Sequence, residues 1–443
     1  MVGGCPFFHG GGFAAQTNPL PVRQSAPADA AAEPFALERM GDSLFESGAV
    51  EPARLDAAES AAEPLAVTEE GVQPRAGRWK VSPHFDFSAT YDDNIFITPD
   101  NPVEDFIFTI SPGLRIGFWD TDDEMARYLD RDRSATVFDR DAGNFLVFDY
   151  TASLLGFVKT SSENTMDQAA LFDARWHFGR LEVAGGSHFV SKSETDADVS
   201  GRLRRKTLTT EVTASYQLTE RLAGEVTVAN VIHDPEGFTG SVEWRNEDYV
   251  DFQVTPLLHA ALGGAVGRVA VEDSADQVFE RILGRVNYET TEKLSLRLGG
   301  GVEFRQSDGA IGDRVDPVFE CMVRYAPAEE TLVVLEGFRR VEVSAWHPDT
   351  IYTSTGVGLR FERTLRTGLH LSVGGGYSRE EYAEMPGVAT RNDDFFYVRA
   401  GVLYNFARWG NVGLSYEYRQ NDSTIPSSSF ENTRVTVQVG LRF

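Results

Sequence analysis

The chain has 443 residues, a formal net charge of −26, and 41 Lys and Arg against 67 Asp and Glu. An acid excess of that size excludes a broad phosphate-binding surface, so nucleic acid is not an expected partner. No apolar run approaches the roughly 18 residues of a membrane-spanning helix, so any membrane span must be built from the strands of a closed barrel, where every backbone group finds a partner.

Residues 1–78 are rich in Ala, Pro and Glu, with 11 acids against 5 Arg. Such a segment buries too little apolar surface to offset its chain entropy and is expected to be mostly disordered. Short helices are conceivable only over Phe35–Met40 and Ala53–Ala62. Cys5 follows Val2, Gly3 and Gly4 as at the end of a lipoprotein signal, but no apolar stretch precedes it. It is read as incidental, and with Cys321 it forms no metal-ligand spacing.

From Trp79 the texture changes to period-two alternation, which continues to the last residue and predicts strands rather than helices. Val81, Phe85, Phe87, Ala89 and Tyr91 alternate with Ser82, His84, Asp86 and Ser88. Leu294, Leu296 and Leu298 alternate with Ser295 and Arg297, and Val302 and Phe304 with Glu303 and Arg305. Phe396 to Phe406, Val412 to Tyr418 and Thr433 to Phe443 repeat the pattern.

Eighteen strands are predicted, with sixteen as the fallback. They begin near Lys80, Asp105, Asn144, Asp167, Gly179, Lys206, Arg221, Asn246 and Ala260, then near Gln277, Lys293, Val315, Thr331, Tyr352, Thr367, Asp393, Asn411 and Phe430. Short connections alternate with longer polar ones at 92–104, 193–205, 234–243, 307–314, 381–393 and 421–429. Short turns at one end and long loops at the other predict an antiparallel transmembrane β-barrel over 79–443. The stretch from Asp120 to Ala142 is too long for the short-turn side and has room for a small helix.

Motifs that carry chemistry elsewhere read here as structure. His233-Asp234 and His347-Pro348-Asp349 have no identifiable third partner and are read as turns. Asp120-Thr121-Asp122-Asp123-Glu124 lacks the glycine and terminal glutamate of a calcium loop. Gly299–Gly301 and Gly374–Gly376 lead into strands, not helices, so they relieve crowding in a wall rather than cradle phosphate. No metal or cofactor site and no catalytic residue is expected.

If Phe443 faces lipid, the opposite face holds His84, Asp86, Arg115, Arg175, Glu211, Arg297, Glu303, Arg305, Arg399, Glu417, Arg419 and Arg434. Arg297, Glu303, Arg305, Arg399, Glu417, Arg419 and Arg434 are the candidate pore-lining residues. Barrels of this size are wide enough for an aqueous channel. Arg399, Arg419 and Arg434 near the C-terminus suggest a weak anion preference.

Three stretches resemble a family of outer-membrane β-barrel porins without an assigned activity, often encoded beside exopolysaccharide or exosortase clusters. The first is Ala89-Thr90-Tyr91-Asp92-Asp93-Asn94-Ile95-Phe96 with Asp105-Phe106 and Ser111-Pro112-Gly113-Leu114. The second is Asn164-Thr165-Met166-Asp167-Gln168 with His177-Phe178-Gly179-Arg180-Leu181. The third runs from Tyr416-Glu417-Tyr418-Arg419 through Gln420-Asn421-Asp422-Ser423 to Phe430-Glu431-Asn432 and Phe443. The motifs are short and span most of the barrel but not the first 78 residues. The resemblance implies the outer membrane, with its lipid as surroundings and polysaccharide-export components as further partners. Val439, Leu441 and Phe443 look like the signal read by the barrel-assembly machinery. The expected function is a porin-like passive channel for small solutes, the alternative a non-conducting accessory of exopolysaccharide export or cell-surface assembly. An enzyme is not expected, since no Ser–His pair falls at matching wall positions.

Overall fold

The computed structural model describes residues 78–119 and 144–443, apart from 273, 292, 308, 310, 311, 329, 348, 349, 385–389 and 408. The expectations for residues 1–77, for the 120–142 connection and for Pro348 and Asp349 fall outside the described residues.

Alternation becomes a ring of eighteen strands. The first nine are β1 (Arg78–Asp92), β2 (Asp105–Trp119), β3 (Phe145–Phe157), β4 (Thr165–Phe178), β5 (Leu181–Asp196), β6 (Gly201–Gln217), β7 (Leu222–Pro235), β8 (Ser241–Thr255) and β9 (Leu258–Val271). The others are β10 (Gln277–Thr291), β11 (Leu294–Ser307), β12 (Arg314–Ala328), β13 (Thr331–Val343), β14 (Ile351–Arg366), β15 (Leu369–Tyr382), β16 (Asn392–Ala407), β17 (Gly410–Ser423) and β18 (Phe430–Arg442). Each pairs antiparallel with the next, and β18 returns to β1 in a register running from His84↔Arg442 to Asp92↔Arg434. Closure leaves no sheet edge, which is what permits strands to stand in lipid.

Connections segregate by end. From β4 onward, each connection leaving an even-numbered strand is short, as at 179–180, 256–257 and 367–368. Gly179 and Gly368 supply the positive φ these tight turns need. Connections leaving odd-numbered strands are mostly longer, as at 93–104, 344–350 and 383–391, though the four residues at 197–200 only equal those at 218–221. Two of them are shorter than the sequence suggests, because β6 begins at Gly201 rather than Lys206 and β8 at Ser241 rather than Asn246. Above the membrane both faces of a strand meet water, so polar residues on both sides conceal strand that is still paired, as in Glu194↔Leu203.

One face of each strand points out and is largely apolar. Phe106, Phe108, Leu262, Ile282, Val402, Leu414 and Val437 on it are all exposed. The other face points in and carries the charges. Outward rings gather near the short-turn end, where Trp79 packs on Phe118, Phe118 stacks on Trp176 and Phe406 meets Trp409 edge-on. An apolar outer band with such an aromatic girdle is the surface a bilayer requires.

Candidate functional site

The inward rows place carboxylates and guanidinium groups at spacings of two along a strand and opposite one another across strands, so that each buried charge can meet its counter-charge. Glu303 lies between two arginines, accepting from Arg281 Nε and Arg305 Nε at 2.7 Å each. Arg305 also donates to Gln277 at 2.7 Å, and the Phe279 ring lies beneath both guanidinium groups. A second network links Arg399 to Glu417 at 2.6 Å, Glu417 to Arg434 at 3.9 Å, and Arg434 to Asp92 at 2.8 Å. Arg419 donates to Asn432 through Nε at 3.1 Å and Nη2 at 2.6 Å. Arg297 stands on the inward row of β11 opposite Met322. The remaining inward candidates behave alike: Arg115 pairs with Asp149 beside His84, Arg175 with Glu182, and Arg245 with Glu211, while Asp86 lies opposite Ser111 and Gly440.

These residues are not equally accessible. Glu303, Arg305 and Arg434 are 1–3% exposed, whereas Gln438, on the inward row of β18 nearer the short-turn end, is open to water. The inner face is therefore packed toward the long-loop end and wetter below.

The cause of that packing is the β5–β6 hairpin. β4 stops pairing with β5 at Gln168↔Ser191, and β7 stops pairing with β6 at Pro235↔Arg205. β5 and β6 continue together to Asp196↔Gly201. The tip thus stands clear of the wall with no strand on either side among the described residues, and it reaches the far side of the mouth. Asp198 Oδ1 accepts from Ser344 Oγ at 2.7 Å and from the Tyr382 hydroxyl at 2.9 Å. Its Oδ2 accepts from the backbone N–H of Ala345 at 2.6 Å and of Trp346 at 3.3 Å. Arg391 donates to the carbonyls of Asp198 and Ala197, lies over the rings of Tyr382 and Trp346, and is held by Asp393. Lower on the tip, Thr195 accepts from Arg419 Nη2 and Arg434 Nη2 at 3.2 Å each.

β5 and β14 are nine positions apart in a ring of eighteen, so this clasp joins opposite walls. Thr239, in the β7–β8 connection, donates to the Ala345 carbonyl at 3.1 Å and adds a second bridge. Asp198 is buried, and burial pushes its carboxyl above the ordinary carboxylate range even against four donors and the nearby Arg391. Alternation in the sequence does not reveal the clasp. Asp198 reads as one more acid in a polar loop, and its partners lie about 150 to 190 residues further on; only the Arg391-Asn392-Asp393 spacing hints at a charge pair.

Residues 272–443 match the model of a family described as "Putative beta-barrel porin 2". That match covers β10 to β18, the half of the ring holding Glu303, Arg399, Glu417 and Arg434. The chain is a closed eighteen-stranded β-barrel whose second half matches a porin family. No curated protein matches it by sequence. Among solved structures the barrel is similar to OpdK of Pseudomonas aeruginosa, at 11% identity and a TM-score of 0.43, covering 82% of this chain and 99% of that one. It is also similar to OccK2 (OpdF) of the same organism, solved with glucuronate, at 9% identity and a TM-score of 0.44, covering 82% and 98%. OccAB4 of Acinetobacter baumannii stands at 12% identity and a TM-score of 0.42, with 82% and 98% covered.

Proposed function

We propose that this barrel is a passive channel for small polar solutes whose outer mouth is held narrow by the β5–β6 clasp. The observation that carries the reading is the charged inner wall of an eighteen-stranded ring, open to water at Gln438. A charged inner wall of eighteen strands encloses water wherever it is not filled, and the described residues fill it most tightly where Asp198 bridges the mouth. On this reading Arg297 and Arg419 face the solute path, while Glu303, Arg305, Arg399, Glu417 and Arg434 brace the wall beside it.

Single-channel recording from the reconstituted full chain tests it. The native chain is expected to pass a small current, and Asp198→Ala or Arg391→Ala a severalfold larger one. Absence of conductance in the native chain and in both variants, at any voltage, would reject the channel. A mouth bridged at rest favours the second reading, a non-conducting accessory of polysaccharide export, and the released variants separate the two. We further propose that residues 1–77 form a mostly disordered segment ahead of the barrel. Val439, Leu441 and Phe443, on the outward row where β18 closes on β1, would serve as the recognition signal for the assembly machinery. Deleting Phe443 should then lower the yield of membrane-inserted barrel without changing synthesis.

A further inference from the structure

The outer wall departs from its apolar rule on β8, as it also does at Arg339 on β13 and at Glu280 on β10. On β8 the outward row reads Trp244, Asn246, Asp248, Val250 and Phe252. Asp248 is exposed, and it directly adjoins the outward Val226 of β7 and Gly264 of β9. The aromatic girdle fixes its depth. Outward Tyr216 on β6, Phe252 on β8 and Tyr288 on β10 each drop two residues over two strands, as tilted strands require of residues at one height.

Counting upward from that girdle, Asp248 is four residues above Phe252. Asn246 is six above Phe252, and Thr210 is six above Tyr216. At about 2.5 Å of height per tilted residue, Asp248 stands roughly 10 Å above the girdle, within an apolar band about 25 Å tall. A carboxylate near the middle of that band cannot be left to acyl chains, and such a residue marks a functional contact with a partner.

The chemistry of the sector indicates which partner. The Asn246 amide donates to the Thr227 carbonyl and to Asp248 Oδ1, each at 3.0 Å, so both its hydrogens are used. Asn246 Oδ1 and Asp248 Oδ2 are left as acceptors among the described residues. Two strands away the outward hydroxyls of Ser187 and Thr210 lie 3.0 Å apart. Two hydroxyls share one hydrogen bond there, which leaves one O–H to donate outward.

Thr210 and Asn246 are at the same height on either side of β7. A two-fold axis along the membrane normal at β7 therefore sets each copy's hydroxyl against the other copy's acceptors, the reciprocity that an isologous contact demands. Gly224 on β7, where an added Cβ would meet nothing within 4 Å, leaves space for the walls to approach. We propose that the β6–β8 sector is the interface of a two-fold dimer of this chain within the outer membrane. The proposal is independent of whether the barrel conducts.

Cross-linking of the full-length protein in outer membranes tests it. In a background of Cys5→Ser and Cys321→Ser, Val228→Cys places a thiol on β7 beside the axis, and Val402→Cys places one on a remote sector. Mild oxidation is expected to convert most of the Val228→Cys protein to a species of twice the 48.9 kDa chain mass and to leave Val402→Cys unchanged. Adding Asn246→Leu with Asp248→Leu should cut that yield at least tenfold and give the monomer mass in detergent. The barrel should stay folded, since the change removes polar groups from lipid, and unheated gel mobility monitors this. A Val228→Cys barrel that stays uncross-linked, or that cross-links to a protein of another mass, overturns the two-fold dimer.

Discussion

Asp198 holds the mouth through one carboxylate that answers four donors. Replacing it with Ala leaves the Ala345 N–H and the Tyr382 hydroxyl without this acceptor, while the Trp346 N–H keeps Ser344 Oγ at 3.1 Å, at a cost of about 1–3 kcal/mol for each buried group left unsatisfied. That is enough to free a hairpin tip with no flanking strands, and the expected result is a rise in conductance without loss of the folded barrel. The same residue predicts a pH dependence. Its carboxyl titrates higher when docked than when free, so docking takes up a proton. The clasp is then strongest at acid pH and weakens as pH rises through the raised value, and current should increase over that interval. Arg391, Tyr382, Glu380 and Asp393 surround the site and stay in place in an Asp198→Ala chain. A pH response unchanged in that variant would assign the effect to them instead.

At the scale of strands, much was legible because lipid enforces a strict rule. Wherever one face meets acyl chains, as on β16, β17 and β18, the outward row is apolar and the inward row mostly polar, with Leu403 and Tyr397 on the inner side of β16 as exceptions, and register follows from the sequence. A direct check is Val437→Arg, which puts a charge on the lipid side at about 2–4 kcal/mol near midplane. Gln438→Arg, one residue on and facing inward, should leave insertion and heat-modifiable mobility unchanged, and equal damage from both would mean the faces are inverted. Legibility ends where the bilayer ends. The tops of β5, β6 and β8 meet water on both faces and lose the alternation, so Ser193 to Arg205 reads as loop although it is a paired hairpin. The inward list from His84 to Arg434 could be written from parity alone. Which members pair, and that Asp198 crosses the ring to Ser344, depend on strand tilt and on contacts between residues 146 apart, which no local pattern encodes.

For the whole molecule the open question is which ions the wall favours. The three arginines near the C-terminus suggest anions from sequence, but the folded wall removes the basis for that expectation. Arg399 and Arg434 share Glu417 and Asp92, two positive charges against two negative ones. Elsewhere Arg285 meets both Glu225 and Asp251, and Arg245 stands among Glu211, Glu243 and Glu247, so carboxylates outnumber guanidinium groups in these clusters. An ion in the path at 0.1 M salt senses charge over about 10 Å, a distance that spans whole clusters rather than single side chains. Near β16 to β18 it meets Arg399, Arg419 and Arg434 largely offset by Glu417 and Asp92, and near β7 to β10 a net negative wall; the chain's total of −26 points the same way. The Asp198→Ala channel, opened so that current is measurable, is therefore expected to show weak cation preference in reversal potentials under a salt gradient. Adding Arg399→Ser and Arg419→Ser strips Glu417 of its neighbours and should deepen that preference, whereas a clear anion preference in the opened channel would mean that the path runs past guanidinium groups these pairings do not neutralise.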